Sequence, residues 1–172
     1  MREGFSPYSK EVIRHFKNPR NVGELKDASA TGKVGNLACG DIMRLYIKVK
    51  KDKISGKEKI TDIKFQTFGS IVAIANTSLI TTMVRGKTLE ESLKITKNDI
   101  LKKLGNLPPI KIHCSVLAVD ALHDAIYNYY QKNNVTIPEE LQKEHERIKH
   151  TMEEIEERHH EFVKLEEGVL KK

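Results

Sequence analysis

The sequence predicts an α+β fold: a small antiparallel sheet of about three strands packed with helices, followed by a long C-terminal helix. Three observations carry this. Residues 45–49 and 60–68 alternate β-favouring apolar and polar residues and are joined by a polar loop containing Ser55 and Gly56. Residues 115–130 repeat their apolar positions at helical spacing. Past Pro138, Leu141, Ile148, Ile155, Phe162 and Val169 recur every seven residues, which is one edge of a coiled-coil seam.

The remaining elements follow in chain order. Residues 9–16 read as a helix, with Ser9 as N-cap and Asn18-Pro19 as its stop. A shorter strand near residues 33–37 completes the sheet. Residues 70–84 form a long apolar run ending at Arg85-Gly86, the cation and glycine expected where a helix finishes. Two short helices, 89–95 and 98–104, lead to the turn at Pro108-Pro109. In the C-terminal repeat the second edge holds His145, Met152, His159 and Glu166, so it is mostly polar. Such a helix packs on a partner or back on the body rather than forming a strong coiled coil alone. His145, His150, His159 and His160 read as surface or seam histidines, since none stands four residues from another histidine. Residues 1–134 form one domain and 135–172 a helical extension.

Charge divides along the same boundary. The 172 residues carry a net +6, yet positions 138–172 hold 7 Lys and Arg against 11 Glu, a net −4, leaving 23 against 13, a net +10, for positions 1–137. A basic body attracts acidic partners. Nucleic acid is disfavoured, because the lysines of 48–59 and 94–103 are scattered without interleaved aromatics or a binding motif. There is no apolar run of about 18 residues, and residues 1–7 lack a signal core or an arginine-rich leader. The expectation is a cytoplasmic protein without membrane contact, whose two cysteines are ligands or reactive thiols rather than a disulfide.

Those cysteines are the chemistry-bearing residues. Cys39 lies in Ala38-Cys39-Gly40-Asp41, where Gly40 lets the backbone bend so that the thiol and the Asp41 carboxylate can face one ion. Alone, Asp41 reads first as a turn or capping aspartate. Cys114 follows His113 at the expected start of the helix over 115–130, where free amides and the helix dipole favour a thiolate. Cys114 also reads as a small buried hydrophobe. Two thiolates, a carboxylate and an imidazole suit tetrahedral zinc or an iron site.

The surrounding sequence narrows this. Tyr8-Ser9-Lys10-Glu11-Val12-Ile13, His15 to Gly23, Ala38 to Asp41, Phe65-Gln66-Thr67-Phe68-Gly69 and Leu107 to Ser115 stand in order over about three quarters of the chain. This set resembles the U-type iron-sulfur cluster assembly scaffolds, the family of IscU and the NifU N-terminal domain. One departure matters. The family carries a third cysteine after the glycine matched by Gly69, and here Ser70 occupies that position. A serine hydroxyl is a poor soft-metal ligand and carries no persulfide. Ser70 does precede an apolar helical run, so it can serve as an N-cap.

The resemblance implies a non-catalytic scaffold, not an enzyme. Cys39 and Cys114 would be cluster ligands, Asp41 would govern cluster lability, and His113 would be an optional ligand. Cys114 would accept sulfur from a cysteine desulfurase, and Lys111 would pair with the aspartate in the empty site. Leu107, Pro108, Pro109, Ile110 and Lys111 resemble the segment bound by a dedicated Hsp70-type chaperone. A transient [2Fe-2S] cluster would pass to apo iron-sulfur proteins, with zinc bound in its absence. Two thiols per chain become four in a homodimer, so a bridging cluster is a further arrangement. The competing reading is a divergent scaffold paralogue with a zinc site, acting as an adaptor through the added helix. A thiol enzyme using Cys114 with His113 as base is disfavoured, because adjacent residues rarely aim at one reacting atom.

Overall fold

The computed structural model describes residues 6–105 and 107–170, the stretch 162–170 by its backbone alone. Strands β1 (Ala30–Gly35), β2 (Ile42–Lys51) and β3 (Glu58–Phe68) form an antiparallel sheet in the order β1-β2-β3. Helices are α1 (Lys10–Lys17), α2 (Ile71–Val84), α3 (Leu89–Leu93), α4 (Lys97–Leu104), α5 (His113–Lys132) and α6 (Glu139–Leu170). The sequence reading of residues 1–5 falls outside the described residues.

Alternation in the strands translates directly into burial. Met43, Leu45, Ile47, Ile60, Ile63 and Phe65 are closed to solvent and meet α2 and α5, the helices packed on the sheet. Helix α2 carries small and apolar residues around nearly its whole circumference, and so it is buried on most sides. Ser9 caps α1 by accepting the Val12 N–H at 3.1 Å. Register places Ile42 opposite both Gly35 and Phe68, so the β1–β2 turn and the end of β3 lie at one end of the sheet. That end holds the chemistry.

The expected strand near 33–37 is displaced to Ala30–Gly35. Asn36 ends it: its Oδ1 accepts the N–H groups of Ala38 at 2.8 Å and Cys39 at 3.2 Å, folding the chain into a turn instead of extending the ladder. Helix α6 packs back on the body, against α5 and β1. Leu141 and Ile148 are buried, while Ile155 and Met152 reach the Gly35 end of β1. The polar edge of the repeat is used as well, since His145 stacks on Tyr127. Phe162, Glu166 and Val169 of the same repeat have side chains outside the described residues. No helix among the described residues is long and apolar enough to cross a membrane.

Candidate metal centre

Three segments converge at this end of the sheet. The first is the β1–β2 turn. Besides the two bonds to its side chain, Asn36 accepts the Gly40 N–H through its carbonyl at 2.9 Å and donates its own N–H to the Asp41 carbonyl at 3.0 Å. Gly40 closes the turn at φ +71°, where a side chain would be strained. The turn thus projects Cys39, half-buried, on one side and delivers Asp41, 3% exposed, to the interior.

The second segment is the start of α2. Ser70 is its N-cap, as the sequence predicts, with its Oγ accepting the Ala73 N–H at 3.3 Å. The same residue grips Asp41: its N–H donates to Oδ1 at 2.9 Å and its hydroxyl to Oδ2 at 3.2 Å. Gly69 makes this approach feasible, because a Cβ there would stand 2.9 Å from Asp41 Oδ1.

The third segment is the start of α5. Cys114 Sγ lies 3.5 Å from His113 Nε2, donates to Asp41 Oδ2 at 3.5 Å, and sits 3.9 Å from Ser70 Oγ. The donor atoms of Cys39, His113 and Cys114 all fall within 4.8 Å of one another. Adjacent residues here do aim at one point, because the imidazole folds back over the neighbouring thiol.

Two sequence expectations need correction. Cys114 was expected to be favoured as a thiolate by free amides at the helix start. Instead a 3-10 turn, Pro109–Lys111, runs straight into α5, and of the first-turn amides the Ser115 N–H is already bonded to the Ile112 carbonyl. Burial then dominates and pushes the Cys114 thiol up to about 11, with the neighbouring Asp41 charge acting in the same direction and the Ser70 hydroxyl opposing. Desolvation also raises Cys39; the Asp41 backbone N–H opposes it, the Asp41 side chain adds to it, and Lys111 pulls down last. Lys111 was expected beside Asp41, yet the hydrogen-bond partners of that carboxylate among the described residues are Ser70 and Cys114.

In the expected chaperone segment, Leu107 is buried and anchors the turn, whereas Ile110 is 78% exposed. Sequence reasoning missed Asn36 and the proximity of α6. A cavity of about 190 Å³ beyond His113 is lined by Asn36, Leu117, Arg147 and Thr151, the last two from α6. The signal for Asn36 was present as an Asn four residues before a Gly, a turn-forming spacing.

Fold and site together define an α+β domain in which one hairpin turn and one helix start bring together a Cys/His/Cys group that could hold a metal ion. The chain belongs to the NifU-like N terminal domain family, whose model matches residues 7–136, and so to the U-type scaffolds. It is 54% identical over 126 residues to "Iron-sulfur cluster assembly scaffold protein IscU 1" of Archaeoglobus fulgidus, covering 73% of this chain and 78% of that one. Over 128 residues it is 51% identical to the IscU scaffold protein of Rickettsia prowazekii, covering 73% and 93%. Among solved structures it is similar to a candidate assembly scaffold for the SUF system from Fervidobacterium islandicum, at 25% identity and TM-score 0.58, covering 70% of this chain and 96% of that one.

Proposed function

We propose that this chain is an iron-sulfur cluster assembly scaffold that receives iron and sulfide, holds a transient [2Fe-2S] cluster and passes it to apo-proteins. The observation that carries this reading is the convergence of the Cys39, His113 and Cys114 donor atoms within 4.8 Å, beside the Asp41 carboxylate. Two thiolates and an imidazole give three protein ligands, the Asp41 carboxylate beside them would complete two per iron only when a cluster is loaded, and mixed imidazole–thiolate ligation is established chemistry for such clusters. Ser70 adds no soft donor. The relatives that match the chain are scaffolds by name, which supports a carrier rather than a catalyst.

Sulfur would arrive on Cys114. Its thiolate attacks the terminal sulfur of a persulfide on a cysteine desulfurase, a new S–S bond forms on Cys114, and the desulfurase cysteine leaves as thiolate. Release as sulfide takes two electrons from an external dithiol reductant. The buried, protonated thiol of the empty site makes desulfurase docking, which changes its surroundings, part of this step. The exposed Ile110 and the proline-stiffened turn around it would be gripped by an Hsp70-type chaperone during cluster release.

A second reading has its own support. Helix α6 docks on the body beside His113, and one of the three scaffold thiols is a serine. Both fit a divergent paralogue that keeps zinc and acts as an adaptor. Anaerobic reconstitution with iron, cysteine and a desulfurase separates the two. About two irons and two sulfides per site, lost in both Cys39→Ala and Cys114→Ala, is the outcome expected of a scaffold. Stoichiometric zinc without sulfide would select the adaptor and overturn the first reading.

A further inference from the structure

We infer that Ser70 is a latch that holds Asp41 out of the metal-binding set, so that the resting site has three donors, Cys39, His113 and Cys114, and an open fourth position. This deepens the proposed scaffold function and rests on it for the metal-binding role of the site.

The geometry divides the four candidate ligands unequally. Cys39, His113 and Cys114 bring one donor atom each to a common point, and Asp41 is not part of that group. Its carboxylate is close enough to join, at 3.5 Å from Cys114 Sγ, but both oxygens already have partners. Oδ1 accepts the Ser70 N–H at 2.9 Å, and Oδ2 accepts the Ser70 hydroxyl at 3.2 Å. An ionised carboxylate in such bonds is held more strongly than by neutral pairs. Metal ligation by Oδ2 would compete with them.

The residue type matters. A hydroxyl has one proton and two lone pairs, so Ser70 Oγ can donate to Asp41 while accepting the Ala73 N–H that caps α2. A thiol at the same place is a weak donor and, as thiolate, has no proton to give. It would be a ligand itself and would leave Oδ2 free. Gly69 fits the same arrangement, since any side chain there would press on Oδ1 and spoil the grip. Replacement of the third thiol by serine therefore trades a ligand for a restraint on the neighbouring ligand. Three protein donors leave one position open to solvent or an incoming ligand, whereas four close the site.

The test uses cobalt(II) as a spectroscopic probe of the full-length apo-protein, together with zinc affinity measured against a chromophoric chelator. Wild type should show thiolate-to-cobalt charge transfer and d–d bands that shift when azide, which replaces solvent at an open fourth position, is added. Ser70→Ala should free Oδ2 to fill that position, so that azide no longer moves the bands, and should tighten zinc by about tenfold, the scale of a neighbouring-shell effect. Ser70→Thr, which keeps the hydroxyl and the cap, should behave as wild type. Asp41→Asn in the Ser70→Ala background should cancel the gain. The latch is overturned if Asp41→Asn alone weakens zinc binding and changes the wild-type cobalt spectrum, or if Ser70→Ala leaves both unchanged while circular dichroism shows it folded. Absence of any thiolate-to-cobalt charge transfer in wild type would instead remove the metal site itself, and with it the scaffold reading.

Discussion

His145 lies flat on Tyr127, with ring centroids 3.7 Å apart and planes 8° from parallel, and its Nδ1 meets Asp124 Oδ1 at 2.8 Å. This contact joins helix α6, which lies beyond the family match over residues 7–136, to α5, the helix that begins with His113 and Cys114. Around it, Arg147 pairs with Asp120 and Glu144 with His123, so polar groups on α5 that would otherwise face water are matched from α6.

Removing the stack should therefore loosen α6 before it harms the body. His145→Ala deletes the ring and one partner of Asp124, which keeps the Lys33 N–H at 3.0 Å, so a loss of about 1–3 kcal/mol is expected. Leu141→Ala and Ile148→Ala, each truncating a buried apolar anchor, should cost about 2–5 kcal/mol. Hydrogen exchange read by mass spectrometry should show α6 exchanging first while β2 and β3 stay protected. Uniform acceleration across both would mean that α6 is integral to one cooperative unit.

Asn36 positions Cys39 through the turn, without touching the metal donors. Asn36→Ala removes the acceptor of two N–H groups and should lower zinc affinity about 10–100-fold, the range for residues that orient ligands. Asn36→Asp keeps the acceptor and should recover most of it. Chelator competition on both variants gives the answer, and equal losses in the two would mean that the Oδ1 acceptor is not what holds the turn.

Much of this was legible because local signals and burial agreed. Ser9 and Ser70 were readable as caps, since a hydroxyl before an apolar run leaves few alternatives. The strands at 42–51 and 58–68 followed from alternation, and only their ends ran longer than expected. What escaped depended on contacts distant in sequence. Asp41 meets Ser70 across 29 positions and Cys114 across 73, and nothing local says which of these wins over Lys111. The Cys114 thiol was misjudged for the same reason: its helix position is local, but the burial that outweighs it is tertiary.

That burial sets a pH dependence. The thiol titrates near 9 unperturbed and about 11 in the fold. Below about pH 9 it is neutral in both states and has no effect. As pH rises toward 11 the unfolded chain ionises while the folded one resists, so stability should fall across that window. In a Cys39→Ser variant, alkylation of Cys114 by iodoacetamide at pH 7.5 should run about a hundredfold slower than for an unperturbed thiol, following the thiolate fraction. A rate already at its plateau at neutral pH would show that the thiolate is stabilised after all.

Gly69 offers the sharpest steric test. A methyl group there would stand 2.9 Å from Asp41 Oδ1 and 3.1 Å from the Ala73 side chain, and since α2 is fixed in the core the carboxylate is the neighbour that must give way. Gly69→Ala should therefore shift Asp41 off the Ser70 N–H and cost about 1–3 kcal/mol, as overpacking does elsewhere. The protein should still fold, because the core of the sheet lies away from this end. Its cobalt spectrum should move in the same direction as that of Ser70→Ala, since both changes break the hold on one carboxylate by different means. A stability loss with an unaltered spectrum would show that Gly69 serves packing alone.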